Sequence, residues 1–353
     1  MYVLVTGSTG RIGASIVKRL VERGDRVRCQ VRPGSDRRAK LYQFGVEVVE
    51  VDLTDRPKLT QIVRDVDAIV HMGVKLRGPS NFDHLDINIA PTLTLLEAVR
   101  TENPTLKRFV YGSSDALFPH EGYMPELITA DRKFTRPADM YKVSKVASEA
   151  IVQCYHRQYG IPTVILNIPW TFCGSELLGL RAKDISPVID DQIEVLKGDL
   201  SRGTENRDRV ARALVDLKRA KEQGAHWVIP KNPQGTPWMR HIGDVRDVAD
   251  AAIAALDTTR GVGGAYVIMS DALNFGVGVP YLAEESGMPF AEILWPYAQH
   301  YWYDTSATRD ELRWRPRYDS RSMLVDAWRH LKGEDIGVVD VGPNHALGSG
   351  AVL

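Results

Sequence analysis

The first third of the chain alternates short apolar segments with longer amphipathic ones. The apolar segments are rich in β-branched residues, which is typical of buried strands; they cover residues 2–5, 26–31, 46–51, 68–71 and 109–111. Between the first two, Ile12, Ile16 and Leu20 recur at helical spacing, and Gly24 suits the left-handed position that follows a helix. The pattern therefore predicts a strand-helix-strand unit at the start of the chain.

The same alternation continues along the chain. A helical pattern around residues 93–99 precedes the segment 109–111, and another over 141–159 precedes an apolar segment at 163–168. Strands that alternate with helices are typical of a parallel sheet with right-handed crossovers. We therefore predict an α/β fold with a doubly wound parallel sheet.

The periodicity weakens after Pro169, which indicates a second, smaller lobe. We predict that residues 1–173 form the main domain and that residues 225–270 return to it. The lobe then takes residues 174–224 and 271–336 and binds the substrate. The Gly-rich end of the chain, 337–353, is predicted to be weakly structured.

Composition and charge narrow the class of protein. Hydrophobic residues make up 44% and charged residues 25% of the chain, as in globular proteins. The 45 Lys and Arg residues balance 45 Asp and Glu residues, so we expect no broad surface for nucleic acid or an anionic membrane. No apolar stretch is long enough to span a membrane, and we expect no leader sequence because the first residues lack the basic and long apolar segments of one.

The three cysteines point to a reducing compartment. Cys29, Cys154 and Cys173 are widely separated and form neither a disulfide framework nor a metal-binding pair. The histidines show no spacing that is typical of a metal site. We therefore expect a cytoplasmic protein without a metal.

A glycine-rich loop follows the first predicted strand. Glycine permits a tight turn, lets backbone N–H groups approach a pyrophosphate at a helix N-terminus, and allows helix and strand to pack closely. The loop predicts a dinucleotide-binding site. Its candidate cofactor-binding residues are Gly7, Thr9, Gly10, Arg11, Ile12 and Gly13.

A second motif places a tyrosine and a lysine four residues apart. Tyr141 and Lys145 lie in a predicted helix, so both side chains project from one face. A phenol with a pKa of about 10 is a poor base at neutral pH. A neighbouring ammonium and a positively charged oxidised nicotinamide would together favour the phenolate and lower that pKa. We expect Tyr141 to act as the acid or base, and a hydroxyl at the end of the strand before it, Ser113 or Ser114, to orient the substrate oxygen.

The loop spacing Gly-x-x-Gly-x-x-Gly, together with the Tyr-x-x-x-Lys pair, resembles the short-chain dehydrogenase/reductase superfamily. It is most similar to the extended branch, the NAD-dependent epimerase/dehydratase family. The resemblance covers residues 1–174 and returns at 240–251 and 312–316. It implies a Rossmann-type fold with a mostly C-terminal substrate-binding lobe, and an enzyme that uses a nicotinamide cofactor and a small-molecule substrate. It also implies a homodimer, paired through helices 83–103 and 141–159.

Several roles follow from the resemblance alone. It implies that Ser114 completes the catalytic set with Tyr141 and Lys145, and that Lys145 also binds the nicotinamide ribose. Further cofactor contacts are implied for Asp52, Leu53 and Pro169. Substrate contacts are implied for Ser114, Asp115, Trp170 and Arg240. For Arg240 a salt bridge remains an equal alternative.

Charge after the second strand bears on the identity of the cofactor. An acid there would accept hydrogen bonds from the ribose hydroxyls and repel a 2′-phosphate, whereas arginine would pair with the phosphate. That strand ends at Arg32 with no acid, and Arg37 and Arg38 follow. We therefore favour NADP(H); if these arginines are only a solvated surface, NAD(H) remains possible.

Two departures from the family pattern narrow the reaction. The dehydratases of the family carry Thr-Asp-Glu where this chain has Ser-Asp-Ala at 114–116, so elimination of water is not expected. Many of its sugar-nucleotide epimerases have arginine and asparagine where this chain has Asn167 and Trp170. The bulky indole indicates a smaller or more apolar substrate.

Two activities fit these motifs. The first is an NADP-dependent oxidoreductase that exchanges hydride between nicotinamide and a carbonyl or alcohol, on a sugar-like substrate. The alternative is an NAD-dependent epimerase of a sugar or sugar nucleotide that acts through transient oxidation. A non-catalytic dinucleotide sensor is disfavoured because both Tyr141 and Lys145 are present.

Overall fold

The computed structural model describes most of the chain. The described residues are 1–76, 80–119, 127–129, 133, 137, 139–179, 183–204, 206–297 and 300–340. The last part of the segment predicted to be weakly structured, 341–353, lies outside them. Within the described residues, no helix combines the length and apolar character that crossing a bilayer requires.

The described elements alternate as the sequence pattern predicts. The strands are β1 Tyr2–Thr6, β2 Arg26–Val31, β3 Glu47–Glu50, β4 Ala68–His71, β5 Arg108–Ser114, β6 Thr163–Ile168, β7 Thr171–Phe172, β8 Trp227–Lys231, β9 Met239–Arg240, β10 Gly243–Asp244, β11 Ala265–Val267, β12 Leu273–Asn274, β13 Phe290–Leu294 and β14 His300–Tyr301. The helices are α1 Arg11–Glu22, α2 Arg56–Gln61, α3 Phe82–His84, α4 Ala90–Glu102, α5 Met140–Tyr159, α6 Ile189–Arg202, α7 Arg207–Glu222, α8 Val245–Asp257, α9 Phe275–Ser286, α10 Ser306–Glu311 and α11 Ser320–Leu331. A wider helical turn, Leu85–Ile89, joins α3 to α4.

A seven-stranded sheet forms the centre of the main domain. Its order is β11-β6-β5-β4-β1-β2-β3, and every neighbouring pair is parallel. The chain runs from β1 outward through β2 and β3 and then returns to β4 on the other side of β1. The fold is therefore the predicted α/β, Rossmann-type doubly wound sheet, and its switch point lies between the carboxyl ends of β1 and β4.

Helices cover both faces of this sheet. On one face, α1 and α8 bury side chains such as Ile16 and Ala252 against Val3 and Val5 of β1. On the other face, Leu95 of α4 and other apolar side chains pack on the intervening residues of the same strands. Because strands buried on both faces need apolar side chains at every position, the continuous apolar segments of the sequence mark them well.

The smaller lobe packs around two tryptophans and differs in its boundaries from the sequence prediction. Trp227 and Trp295 are buried in its core, with apolar residues of α6, α7, α9 and α11. Strand β8, which was predicted to return to the main domain within 225–270, instead pairs with β13. Helix α8 and strand β11 return to the main domain, and β10 pairs with β7. Helix α6 was not predicted, because charged side chains interrupt its apolar positions.

Candidate active site

The glycine-rich loop connects β1 to α1 at the switch point of the sheet. Gly7 has a φ of +64°, and a Cβ there would lie 2.8 Å from the backbone nitrogen of Gly73. A Cβ on Gly13 would lie 2.8 Å from the carbonyl carbon of Gly7. Gly10 precedes α1 and no side chain caps the helix, which leaves N–H groups of its first turn for an anion. The loop therefore fits the pyrophosphate of a dinucleotide.

Gln30 fixes this loop to the carboxyl ends of the next two strands. Its side-chain oxygen accepts a hydrogen bond from the backbone N–H of Gly7 (3.1 Å), and its side-chain nitrogen donates to the carbonyl oxygen of Val51 (2.6 Å). The hydroxyl of Ser8 donates to the backbone carbonyl of Gln30 (2.7 Å). Sequence reasoning missed this residue; the signal was a polar side chain within an apolar strand.

The predicted cofactor-binding residues differ in how far their side chains are already engaged. Arg11 donates two hydrogen bonds to the carboxylate of Glu176, one of them at 2.6 Å. Asp52 accepts hydrogen bonds from the backbone N–H and hydroxyl of Thr54. Arg32 is exposed.

Four further predicted cofactor residues lie along the cleft. Leu53 lies against Gly73, and the carbonyl oxygen of Pro169 accepts a hydrogen bond from Thr171 (2.8 Å). Thr9 and Ile12 are half-buried in the loop and the first turn of α1. The predicted cofactor residues thus lie along the carboxyl edge of the sheet.

The structure brings the three predicted catalytic residues together. Ser114 ends β5, and its hydroxyl forms a hydrogen bond with the phenol of Tyr141, which lies in the first turn of α5. Lys145 lies one turn further along α5, with its Nζ 6.0 Å from the centre of the Tyr141 ring. Asp139 begins the helix by accepting a hydrogen bond from the backbone N–H of Lys142 (2.8 Å). The other candidate hydroxyl, that of Ser113, is buried and has no hydrogen-bond partner among the residues that the structure describes.

The acid–base state of this group differs from the sequence prediction. Burial raises the pKa of Tyr141 to about 12, and the hydrogen bond with Ser114 only partly opposes this. Burial lowers the pKa of Lys145 to about 7, although the nearby Glu149 opposes this. The ammonium by itself therefore does not lower the pKa of Tyr141. The reason is that Lys145 donates to the carbonyl of Gly112 (2.7 Å) and is itself poorly solvated.

A buried carboxylate lies one turn beyond Lys145. Glu149 accepts hydrogen bonds from Asn167 (2.6 Å) and from Lys133 (2.8 Å). Asn167 occupies the position where the resemblance places an arginine in many sugar-nucleotide epimerases. In the structure its amide nitrogen is committed to α5, so its contribution is to hold the helix that carries Tyr141 and Lys145.

The substrate side of the site is built around Arg240. Its Nε donates to the hydroxyl of Tyr301 (3.1 Å), and one of its terminal nitrogens lies 3.6 Å from the carboxylate of Asp184. Its guanidinium carbon lies 5.6 Å from the centre of the Trp170 ring. Burial would lower the pKa of Arg240, but Tyr301 and the charges of Asp184 and Asp115 raise it overall. Arg240 is therefore a mostly buried, charged residue, whereas its partner Asp184 is about one-third exposed, at 32%.

Asp115 connects this group to the catalytic residues. Its carboxylate lies 3.4 Å from the Ser114 hydroxyl, and its charge contributes to raising the pKa values of both Tyr141 and Arg240. Sequence reasoning missed Asp184 and Tyr301, which lie in segments with no readable motif. Among the described residues, no cluster of His, Cys, Asp and Glu could hold a metal ion.

Comparisons with known proteins agree with the fold and the motifs. The model of the NAD dependent epimerase/dehydratase family matches residues 3–268. A UDP-glucose 4-epimerase of Yersinia pestis is 26% identical over 93% of this chain and 96% of its own length. An uncharacterized epimerase/dehydratase of Staphylococcus aureus is 28% identical over 47% of this chain and 52% of its own length.

Solved structures show the same fold. A short-chain dehydrogenase/reductase superfamily protein from Agrobacterium tumefaciens with bound NAD has a TM-score of 0.70 and 24% identity, over 94% of this chain and 98% of that one. A UDP-glucuronic acid 4-epimerase from Bacillus cereus in complex with NAD has a TM-score of 0.66 and 19% identity, over 94% and 99%. The family match covers most of the chain, as the glycine loop and the Tyr-Lys pair predicted. The chain therefore belongs to the NAD-dependent epimerase/dehydratase family and is an NAD(P)-dependent enzyme.

Proposed function

We propose that the protein is an oxidoreductase that exchanges hydride between a nicotinamide cofactor and a carbonyl or alcohol group of a sugar-like substrate. The observation that carries the proposal is the contact between the hydroxyls of Ser114 and Tyr141 at the carboxyl edge of the sheet, with Lys145 buried one turn away. Two hydroxyls that converge in this way can hold one substrate oxygen between them.

Tyr141, Ser114 and Lys145 have different roles at that substrate oxygen. Because burial raises the pKa of Tyr141 to about 12, its side chain is a neutral phenol at neutral pH. It can donate a proton to the oxygen of a carbonyl group whose carbon accepts hydride. The Ser114 hydroxyl orients that oxygen and stabilises the charge that develops on it. A bound nicotinamide would supply or accept the hydride at the carbon. In the oxidative direction Tyr141 must lose its proton, and a protonated Lys145 favours that loss.

The surroundings of Arg240 support a substrate without a diphosphate. Asp184 and Tyr301 already engage the guanidinium, and Trp170 lies over it. A dianionic group would have to displace Asp184 from a mostly buried arginine, which is costly. A hydroxylated, uncharged ring could instead contact Trp170 and share hydrogen bonds with Asp115.

For the cofactor, NADP(H) remains the prediction from the sequence. The exposed Arg32 supports it, because no hydrogen bond or ion pair to another described residue engages its side chain. The glycine-rich loop itself is consistent with binding of either NAD(H) or NADP(H). Direct binding of the two cofactors decides between them.

The test measures turnover with a panel of aldehydes, ketones and sugars. Turnover is monitored through the absorbance of the reduced nicotinamide. Tyr141→Phe should lower kcat by about 10²–10⁴-fold, because the proton donor is lost. Tyr42→Phe, at an exposed phenol outside the site, is the matched control and should be unchanged. Full activity of Tyr141→Phe would refute the assigned role.

A second candidate is epimerisation of a sugar or sugar nucleotide through transient oxidation. The full-length similarity to the Yersinia pestis UDP-glucose 4-epimerase favours it. The same three residues would serve both reactions. Inversion of a substrate stereocentre with retained cofactor and no net change in nicotinamide absorbance would establish this activity instead of the first.

A further inference from the structure

The carboxyl end of β2 has an acidic neighbour that the linear sequence does not reveal. In the sheet, Val31 at the end of β2 is in register with Glu50 at the end of β3. The next residue, Val51, donates its backbone N–H to the carbonyl of Val31 (2.9 Å) and is bonded to Gln30, which holds Gly7 of the glycine-rich loop. Glu50 therefore lies at the same edge as the predicted cofactor cradle.

The Glu50 carboxylate faces the segment that follows β2. One oxygen accepts the backbone N–H of Gly34 (3.3 Å), and the other forms an ion pair with Arg38. Both charged side chains of the pair are about two-fifths exposed, at 41% for Arg38 and 40% for Glu50. In the sequence alone, Arg38 has no evident partner and no acid ends β2. In the fold, Arg38 is paired and Glu50 places an acid at that edge of the sheet.

We infer that Glu50, through its pairing with Arg38, determines how this chain discriminates between the 2′-hydroxyl and the 2′-phosphate of the dinucleotide. The inference rests on the proposed use of a nicotinamide cofactor. In a doubly wound sheet, the adenosine ribose lies beyond the carboxyl end of the second strand. A carboxylate there repels a 2′-phosphate and can accept a ribose hydroxyl, while a guanidinium that it occupies is a weaker phosphate ligand. Glu50 thereby keeps NAD(H) competitive with NADP(H).

Replacement of Glu50 should shift the preference toward NADPH. Glu50→Gln removes the negative charge and releases Arg38, so the ratio of the NADH to the NADPH dissociation constant should rise by about fivefold, as expected for one partly exposed charge pair. Arg38→Ala should move the ratio in the opposite direction, because it leaves the carboxylate unpaired. The double variant with both changes should lose the gain of Glu50→Gln.

Binding is measured on the full chain without substrate, by the fluorescence change of NADH and NADPH at one fixed ionic strength. Glu47→Gln is the matched control, since Glu47 lies at the other end of β3 and pairs with Arg28; its ratio should stay within about twofold of that of the wild type. If Glu50→Gln and Arg38→Ala both leave the ratio unchanged while the wild type binds dinucleotide, the inference is overturned. If the wild type binds neither dinucleotide, the proposed function itself fails.

Discussion

Burial determines the acid–base behaviour of individual side chains in the cleft. It raises the pKa of Tyr141 to about 12, lowers that of Lys145 to about 7 and lowers that of His71 to about 3. His71 is neutral and forms hydrogen bonds with the hydroxyls of Thr6 (2.6 Å) and Thr92 (3.1 Å). Each shift favours the uncharged form, because the surroundings replace water poorly. At neutral pH, burial therefore favours the uncharged forms of Tyr141 and His71 in the cleft.

The shifted pKa of Lys145 makes stability depend on pH. Its folded pKa of about 7 lies below the ordinary value of 10.5, so above about pH 7 the unfolded chain binds more protons and stability rises with pH. Lys145→Met should remove up to about 1.4 kcal/mol per pH unit of that rise. Urea unfolding of both proteins between about pH 7 and pH 9 measures the difference.

In that range the Tyr141 phenol stays protonated in the folded protein, so it does not disturb the comparison. Lys145→Arg is the companion variant, because it retains a buried cation. Identical slopes for the wild type and Lys145→Met would show that Lys145 titrates normally.

At the scale of the elements, the packing of the loop between β1 and α1 leaves no space for a Cβ on Gly13. Gly13 lies inside α1 and faces the backbone of Gly7 and Ser8, with no side chain between them. Helix α1 packs on α8 and on β1, so it cannot move away without opening the core. The close approach of helix and strand depends on the missing Cβ.

Gly13→Ala should therefore abolish dinucleotide binding or weaken it by at least about tenfold, and it should lower the free energy of unfolding by about 1–3 kcal/mol through overpacking. Isothermal titration with NADH or NADPH and urea unfolding measure the two effects. Gly198→Ala is the control, because Gly198 lies within α6 and a Cβ there would meet only Arg202, at 3.4 Å. That substitution should be neutral or stabilise the helix by up to about 1 kcal/mol.

For the whole molecule, we propose a homodimer, as the family resemblance implied. Exposed apolar side chains lie along the helices predicted to pair. They are Phe82, Leu85 and Leu93 on the α3–α4 segment and Tyr159 at the end of α5. Burying such a surface against a second copy is favourable, since contiguous exposed apolar surface marks association sites.

Sedimentation at micromolar concentration should give twice the mass of one chain. Leu93→Glu should shift the protein toward monomer, because it places a charge in the apolar contact. Val215→Glu introduces the same charge at an exposed position on α7 and should leave the mass unchanged. A wild-type protein that sediments only as a monomer would disprove the dimer.

Local patterns in the sequence determined much of this protein. The apolar segments located the strands of the sheet because residues buried on both faces must be apolar, and the spacing of Gly7, Gly10 and Gly13 located the loop. The four-residue interval between Tyr141 and Lys145 placed both on one helix face. These features depend on neighbours close in the chain, which is why they can be read without a structure.

Only the tertiary structure decided which distant residues meet. It paired β8 with β13, joined Arg11 to Glu176, placed Asp184 against Arg240, and brought Glu50 beside Val31 and Arg38. It also made burial the largest influence on the pKa of Tyr141. Burial, strand register and ion pairing across the fold depend on contacts between residues far apart in the chain, and no local spacing encodes them.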